Sequence, residues 1–269
     1  IIGSLKEGHY DYVLFLNLEA ISEKDLLELK KNQPKAIFIM YMWDSVKNKK
    51  HTASLLPYFS LKHTFDKDDS VNSAYKAFNF RPLFFLDEYR NLGKGVAKDV
   101  DLLFVGTVHS DRYQLLMKIR KLCEEMGKKI DFFMFFQSKK LFYTRKASDK
   151  SFSGARMADF HFTPLPKDQL IKKLESCKVV LDIQHPDQTG LTMRTVEMIG
   201  AQKKIITTNH NIKDYDFYDS RNICCIDRNH IELNSSFFET DYETLDSQVY
   251  HQYSIDGWLE DVFSIPLKE

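Results

Sequence analysis

One stretch of the chain combines a buried strand, a short polar loop and a helix with two charged side chains. The apolar run Val179–Ile183 predicts the strand, and the loop His185–Gly190 (HPDQTG) follows it. We expect the next helix to begin at Gly190, so that Arg194 and Glu197 share one helical face with it. Backbone N–H groups at such a helix start bind phosphate, and the cation and carboxylate could contact the diphosphate and ribose of a nucleotide sugar.

A second polar turn follows another apolar run and has the features of a loop that approaches phosphate. Phe104-Val105-Gly106-Thr107 ends a predicted strand, and Arg112 lies in the first turn of the helix after it. Gly106 would let the backbone come close to a ligand, and Arg112 would neutralise its charge. A single glycine after a strand also forms ordinary tight turns, so a purely structural turn is the alternative.

Further polar side chains stand where predicted strands end. Asp44 follows the second strand and is a candidate general base, with the capping of a turn as the alternative. His109 and His185 follow two later strands and are candidates for substrate contact, although loop histidines are often structural. The lysine-bearing stretch Ser45–His51 could face an anionic membrane surface or lie in solvent.

Short apolar runs alternate with amphipathic segments along the chain, which predicts an α/β fold with parallel sheets. Strands are expected at 12–16, 36–42, 100–105, 130–136, 179–183, 205–208 and 223–226, and helices at 22–32, 110–126 and 167–176. In the first helix Ser22 is the expected N-cap, and Leu26, Leu27 and Leu29 form the expected apolar side. We predict two Rossmann-like domains, at 1–86 and 100–269, joined by a polar linker at 87–99. Ligands of parallel sheets bind beyond the carboxyl ends of the strands, so a cleft between the two domains is the expected site.

The composition narrows the class of protein. The chain has 269 residues, enough for one large or two smaller domains, and 38 basic against 38 acidic residues give no reason to expect nucleic acid as a partner. No apolar run reaches the roughly 20 residues that span a bilayer, and we expect no signal peptide. The four cysteines lack the spacing of metal ligands, so we expect reduced thiols in a cytoplasmic protein and no metal site.

The segment from Asp187 to Gly200 (DQTGLTMRTVEMIG), followed by Lys204–Asn209 (KIITTN), resembles the donor-site signature of GT-B glycosyltransferases. The similarity is greatest to the branch of bacterial surface-polysaccharide and spore-maturation-protein-like enzymes. Three other segments agree with it: FVGTVHSDR at 104–112, FDKDD at 65–69 and RPLFF at 81–85. The resemblance spans most of the chain and is strongest over residues 100–230.

The resemblance implies a metal-independent glycosyltransferase of the hexosyltransferase type, with a UDP- or GDP-linked sugar as substrate and no cofactor. Glu197 would accept hydrogen bonds from the ribose hydroxyls, N–H groups of Thr189–Leu191 would meet the diphosphate, and Phe162–Pro166 would line the base pocket. The expected donor-binding residues are Gly106, Thr107, Arg112, Thr189, Gly190, Leu191 and Glu197. The expected catalytic residues are Asp44, Arg194 and His109.

The implied acceptor is a glycan or lipid-linked sugar in bacterial surface polysaccharide or lipopolysaccharide assembly, at the inner face of the membrane or in the cytoplasm. Residues 1–86 would be the acceptor-side domain and 100–269 the donor-side domain with its C-terminal helix; 1–86 is short, so we expect its first βα units to be missing. Many retaining members carry a second glutamate where this chain has Thr189, which leaves the stereochemistry open. Two alternatives remain: a catalytically silent protein that binds a glycan or a partner enzyme, and a sugar-nucleotide epimerase.

Overall fold

The computed structural model describes residues 8–18, 21–75, 78–90, 92, 95–186, 188 and 190–264, apart from the side chains of Asn48 and Lys50. The chain forms two compact units. Unit 1 comprises Ile1–Phe84, Thr189–Leu191 and His251–Glu269, and unit 2 comprises Phe85–Gln188 and Thr192–Tyr250. The division therefore falls before the predicted linker, and the C-terminal segment belongs to unit 1 rather than to the second domain.

The elements alternate along the chain. The strands are β1 (Tyr12–Leu16), β2 (Ile37–Met42), β3 (Leu61–Thr64), β4 (Asn79–Phe80), β5 (Val100–Thr107), β6 (Ile130–Phe135), β7 (Cys177–Asp182), β8 (Lys204–Thr207) and β9 (Ile223–Cys225). The α-helices are α1 (Glu23–Asn32), α2 (Lys50–Leu55), α3 (Lys67–Val71), α4 (Arg112–Glu125), α5 (Lys139–Ser148), α6 (Lys167–Ser176), α7 (Met193–Gly200), α8 (Ser247–Gln252) and α9 (Ile255–Phe263). Short 3₁₀ helices include Val46–Asn48, Asp87–Tyr89, Lys150–Phe152 and His210–Asp214.

Unit 1 contains a parallel sheet in the order β1-β2-β3-β4. Five of the six residues of strand β2 are buried, so both of its faces are covered, as is usual for a strand of a parallel sheet. Met40 and Met42 share one core with Leu26 of α1. The ring of Tyr41 makes an edge contact with Trp258 of α9, with ring centroids 4.7 Å apart. This contact explains why the C-terminal helix belongs to unit 1.

Unit 2 contains a parallel sheet of five strands in the order β6-β5-β7-β8-β9. Leu102 and Phe104 of β5 belong to one apolar core together with Leu116 of α4. Leu103, which points to the opposite face, belongs to a second core together with Met198 of α7. Helices therefore cover both faces of the sheet, and the predicted α/β fold with parallel sheets is confirmed.

Most predicted elements are confirmed to within two residues at each end. Some features of the structure were not predicted. Helix α5 was missed because Phe142 is its only buried residue, so the sequence there has no apolar residues at helical spacing. Leu27, expected on the apolar side of α1, is 46 % exposed. The start of α7 also differs from the prediction.

Two properties of the described residues bear on the setting of the protein. The four cysteines carry free thiols; Cys123 and Cys177 are buried, and Cys224 and Cys225 are partly so. None of the helices in the described part of the chain has the length and apolar character needed to cross a membrane.

Gln202, which follows α7, has a left-handed backbone conformation that is unfavourable for residues other than glycine. Gln202 has φ 50°, in the left-handed region. The Gln202 N–H donates to the carbonyl oxygen of Ile199 at 3.1 Å, and the Lys203 N–H donates to the carbonyl oxygen of Met198 at 3.0 Å. These two bonds form a Schellman motif. Glycine is the usual residue here because it lacks a Cβ. We expect Gln202→Gly to raise the free energy of unfolding in urea by about 1 kcal/mol.

The matched control is Gln248→Gly, at an exposed position in the first turn of α8. There the same substitution should lower the free energy of unfolding by roughly 0.5–1 kcal/mol, because glycine loses more backbone entropy in a helix. Equal losses at both positions would contradict the left-handed strain assigned to Gln202.

Candidate functional site

The ends of β5 and β7 mark the point in unit 2 where the chain connections reverse direction. β5 pairs with β6 on one side and with β7 on the other. In open parallel sheets, ligands bind at such a switch point, outside the carboxyl ends of the strands. His109 and Ser110 follow β5, and His185 follows β7. The two loops that the sequence singled out therefore lie at the expected edge of the sheet.

A cavity of about 430 Å³ opens beside these loops. The rings of His109 and His185 both line it, and their centroids are 5.3 Å apart. The volume lies in the range of ordinary small-ligand sites. The other polar residues that line the cavity are Thr107, Ser110, Gln137, Arg145 and Asp149.

His109 is uncharged at neutral pH. Burial, reinforced by the nearby Arg112 guanidinium, lowers the pKa of His109 to about 4. The Ser110 hydroxyl donates to the carbonyl oxygen of His109 at 2.8 Å and lies 3.1 Å from its Nδ1. Nδ1 is therefore the donor of the ring, which leaves Nε2 as the acceptor. The side chain is suited to accept a hydrogen bond from a ligand hydroxyl and poorly suited to abstract a proton at neutral pH.

No side chain among the described residues caps the N-terminus of α4, which begins beside the cavity. The N-cap residue Asp111 makes no capping bond; its two carboxylate oxygens instead accept from Nη1 of Arg228, each at 2.8 Å. Ser110, one residue earlier, has φ 50°. Such left-handed conformations cost roughly 1–2 kcal/mol and concentrate at functional sites. The Arg112 N–H donates to the carbonyl oxygen of His109 at 3.2 Å, and the N–H groups that follow it in the first turn of α4 are oriented for an anion.

Two arginines fix the backbone at this end of the sheet. Arg112, predicted to neutralise phosphate, donates through Nη1 to the carbonyl oxygen of Thr107 at 2.7 Å. Arg228 donates to the carbonyl oxygen of Gln184 as well as to Asp111, and so joins the end of β7 to the start of α4. Sequence reasoning missed Arg228, because no motif surrounds it and its contact with Asp111 spans 117 residues.

The N-terminus of α7 differs from the predicted one. The helix begins at Met193 rather than at Gly190, and Thr192 is its N-cap. The Thr192 hydroxyl accepts the N–H of Thr195 at 3.1 Å. Gly190 therefore precedes the helix, and the prediction that it shares a helical face with the two charged residues is wrong.

The carboxylate of Asp182 occupies this helix start. Its Oδ2 accepts from the hydroxyls of Thr192 at 2.6 Å and Thr195 at 2.9 Å, and the residue is 6 % exposed. A negative charge at a helix N-terminus is favourable, but it also repels a second anion. The geometry therefore favours the start of α4 over the start of α7 as the place for a phosphate group.

Both carboxylate oxygens of Glu197 have a partner. The Tyr89 hydroxyl donates to Oε1 at 2.9 Å, and Nη1 of Arg194 lies 2.8 Å from Oε2. Burial raises the pKa of Glu197 although Arg194 opposes the shift. Each oxygen keeps a second lone pair that can accept from a ligand hydroxyl. Arg194, predicted to be catalytic, has its charge balanced by Glu197; Tyr89 was missed because it lies in the predicted linker.

Asp44, the predicted base, lies after β2 in unit 1. Its carboxylate is 3.6 Å from Nζ of Lys49 and its side chain is 36 % exposed. Asp66 and Asp69, which follow β3, are by contrast buried. Oδ2 of Asp69 accepts the N–H of Val46 at 2.7 Å, and burial raises the pKa of Asp69. Asp69 therefore joins Asp44 as a candidate for proton transfer in unit 1.

The glycines and the leucine of the predicted donor site are closely packed. A Cβ at Gly106 would lie 3.1 Å from Cζ of Phe104, and one at Gly190 only 2.5 Å from Cε2 of Phe65. Leu191 is buried. Packing alone thus requires a glycine at position 190, a role that the sequence did not separate from ligand approach.

The remaining predictions concern scattered positions. Thr189 and the side chain of Lys50 lie outside the described residues. Phe162, from the predicted base pocket, has its ring centroid 5.9 Å from Nζ of Lys139. No group of three or more His, Cys, Asp and Glu side chains within the described ranges is placed to bind a metal ion.

No protein-family model and no curated protein matches the sequence, but several solved structures with a similar architecture are glycosyltransferases. An α-glucosyltransferase solved with UDP and a 13-mer DNA aligns over 98 % of this chain and 82 % of its own, with TM-score 0.66 and 14 % identity. HepE from Anabaena, solved with UDP and glucose, aligns over 98 % and 79 %, with TM-score 0.62 and 9 % identity. A glycosyltransferase from Rickettsia africae aligns over 94 % and 75 %, with TM-score 0.58 and 10 % identity. The chain has the GT-B fold.

Identities of 9 to 14 % establish the fold alone, so the roles of residues in this GT-B chain rest on its own geometry. Three features of that geometry bear on ligand binding. They are the cavity between the β5 and β7 loops, the uncapped start of α4, and the group formed by Tyr89, Glu197 and Arg194.

Proposed function

We propose that this chain is a glycosyltransferase that uses a nucleoside-diphosphate sugar as donor, with UDP-sugars as the first candidates. The observation that carries the proposal is the cavity at the switch point of unit 2, lined by His109 and His185 and adjoining the uncapped start of α4. The α-glucosyltransferase and HepE were both solved with UDP, which supports uridine as the base.

The diphosphate would lie against the first turn of α4. Glycosyl transfer leaves a nucleoside diphosphate carrying new negative charge, and its stabilisation is the main catalytic requirement. Oriented backbone N–H groups and the positive end of α4 supply this stabilisation without a metal ion. Neutral His109 would accept a hydrogen bond from a hydroxyl of the donor through Nε2.

The ribose would be held by Glu197. Its two oxygens, positioned by Tyr89 and Arg194, would accept from the two vicinal hydroxyls of the ribose. The buried setting strengthens such bonds, because less water competes for the carboxylate.

The acceptor would be a glycan or a lipid-linked sugar of bacterial surface polysaccharide. Support for this choice comes from the motif resemblance to the surface-polysaccharide and spore-maturation-protein-like branch, and from the zero net charge, which does not favour a polyanion. If the reaction inverts, Asp44 or Asp69 of unit 1 would take the proton of the acceptor hydroxyl.

Calorimetric titration with UDP, UMP and uridine tests the proposal. We expect micromolar binding of UDP and at least tenfold weaker binding of UMP, since a charge-assisted hydrogen bond is worth about 1.5–3 kcal/mol. Arg145→Ala should weaken UDP binding about tenfold, because Arg145, which pairs with Asp149, lines the cavity. Arg221→Ala is the matched control: Arg221 also pairs with an aspartate, Asp219, but does not line this cavity.

Turnover separates the remaining alternatives. Release of UDP from a UDP-sugar, accelerated by a glycan acceptor, would support the transferase. Binding of UDP without turnover on any bacterial glycan acceptor would favour the catalytically silent protein. Failure to bind any nucleoside diphosphate would refute the donor site.

A further inference from the structure

Unit 2 contains a second cavity, of about 590 Å³, at the opposite edge of its sheet. It lies at the amino ends of β7 and β8, where Cys177, Lys203 and Lys204 line it, whereas the proposed donor cavity lies at the carboxyl ends. The two cavities share no lining residue. Phe238 adds apolar surface, and Tyr242 adds a phenol that stays protonated because burial raises its pKa.

Two lysines that line this cavity converge on one backbone oxygen. Nζ of Lys98 is 2.7 Å and Nζ of Lys203 is 3.1 Å from the carbonyl oxygen of Glu175. Lys203 also donates to the carbonyl oxygen of Cys177 at 2.7 Å. Glu175 lies in the last turn of α6, whose carbonyl groups attract cations. Within the described part of the chain, Lys203 is held by carbonyl oxygens and by no carboxylate.

The Lys203 amine is set apart from ordinary lysines by its surroundings. The residue is 5 % exposed. Burial, together with the neighbouring Lys98, lowers the pKa of Lys203 to about 7. A far larger share of the Lys203 amine is therefore uncharged at neutral pH than of an exposed lysine. An uncharged amine has two N–H groups, which the two carbonyls accept, and one lone pair, which faces the neighbouring Lys98 ammonium as a hydrogen-bond acceptor.

Lys204, which lines the same cavity, provides the contrast. Its Nζ donates to the carbonyl oxygens of Phe237 (2.7 Å) and Thr240 (3.2 Å) and to the Thr240 hydroxyl (2.6 Å). Burial lowers the pKa of Lys204 as well, but three acceptors match the three N–H groups of an ammonium. The charged form of Lys204 is therefore fully hydrogen-bonded, and its nitrogen presents no lone pair.

We propose that this second cavity binds a small aldehyde or ketone that carries a phosphate or carboxylate group, and that Lys203 holds it as an imine. The Nζ lone pair attacks the carbonyl carbon; the carbonyl oxygen then leaves as water with the two amine hydrogens, so that no oxidant or reductant is needed. The Lys98 ammonium, next to Lys203, would turn to the anionic group of the ligand and so release the Nζ lone pair for attack. The site is separate from the donor cavity and goes beyond the proposed transfer reaction.

Reductive trapping with pyridoxal 5′-phosphate, an aldehyde with a phosphate group, tests the proposal on the unaltered protein. Borohydride reduces any imine to a secondary amine, and peptide mass spectrometry then locates the label. We expect about one label per chain, on Lys203, formed at least tenfold faster than on any other lysine. Pyridoxal, which lacks the phosphate, should label Lys203 at least tenfold more slowly.

Two variants sharpen the result. Lys203→Arg keeps the charge and the carbonyl partners and should abolish the label, whereas Lys204→Arg should retain it. Labels spread over surface lysines with none at Lys203, or labelling of Lys203 no faster than of Lys204, would overturn the imine. Labelling of Lys203 by pyridoxal at the same rate as by pyridoxal 5′-phosphate would overturn the inference that the ligand carries an anionic group. Because the label is mapped without nucleotide, these outcomes are independent of the donor site.

Discussion

Replacing Glu197 with glutamine is expected to weaken the binding of UDP at least a hundredfold. The carboxylate would accept hydrogen bonds from two ribose hydroxyls, and bonds to a charged acceptor are worth about 1.5–3 kcal/mol each. Losing the charge and turning one oxygen into an N–H donor removes about 3 kcal/mol, which is a factor of roughly one hundred or more in affinity. Calorimetry with UDP on the wild type and Glu197→Gln measures it directly.

The pH dependence of the same interaction gives a second readout. Burial raises the pKa of Glu197, so lowering the pH protonates it before an exposed glutamate would be protonated. The affinity for UDP-glucose, whose diphosphate has no secondary ionisation near neutrality, should therefore fall as the pH drops through that raised pKa. The Glu197→Gln variant should show no such fall in the same interval, because its amide does not titrate.

Two variants separate binding from positioning. Tyr89→Phe removes the hydroxyl that donates to Oε1 at 2.9 Å and should weaken UDP binding by roughly three- to tenfold, since the carboxylate stays but is less constrained. Glu125→Gln is the matched control for Glu197→Gln, because Glu125, like Glu197, lies on a helix and pairs with a basic residue, Lys121. It should leave the affinity for UDP unchanged. Unchanged UDP affinity in Glu197→Gln, with the fold intact by circular dichroism, would exclude Glu197 from the donor site.

Replacing Asp182 with alanine is expected to lower the free energy of unfolding by about 3 kcal/mol. One oxygen of this buried carboxylate accepts two hydroxyl bonds, from Thr192 and Thr195. Its removal leaves both hydroxyls without their acceptor and takes a favourable negative charge from the start of α7. Urea unfolding followed by circular dichroism measures the change.

The loss should extend to ligand binding, because α7 carries Glu197 and Asp182 holds its first turn. Asp182→Asn keeps one acceptor oxygen and should lose roughly half as much stability as Asp182→Ala. Asp168→Ala removes an exposed acid from the first turn of α6 and should cost only about 0.3–1 kcal/mol. A loss in Asp182→Ala no greater than in Asp168→Ala would show that the buried bonds contribute little.

Local sequence patterns predicted the elements that depend on neighbouring residues. Strand β1 and helix α6 fall where the apolar pattern places them, and Ser22 caps α1 as predicted, accepting the N–H of Asp25 at 3.1 Å. The signals for these elements lie within a few residues of each other. The prediction that α7 begins at Gly190 is three residues too early. Thr192, whose side chain is a common N-cap, lies directly before the helix.

The candidate site could be predicted only in part. The sequence identified the β5 and β7 loops, since polar residues after apolar runs mark the carboxyl ends of strands. It did not identify Tyr89 as the partner of Glu197, because that contact spans 108 residues. Nor did it identify Lys203 and Lys98, which meet only where both reach the end of α6.

The sequence by itself determined that this chain folds as alternating strands and helices in parallel sheets, because apolar periodicity is a local property. Tertiary structure alone decided which helix start is open to an anion. Asp182 closes the start of α7 from a neighbouring strand, while Arg228 draws the carboxylate of Asp111 away from the start of α4. Both outcomes rest on hydrogen bonds between side chains that the fold brings together, so no local pattern could have shown them.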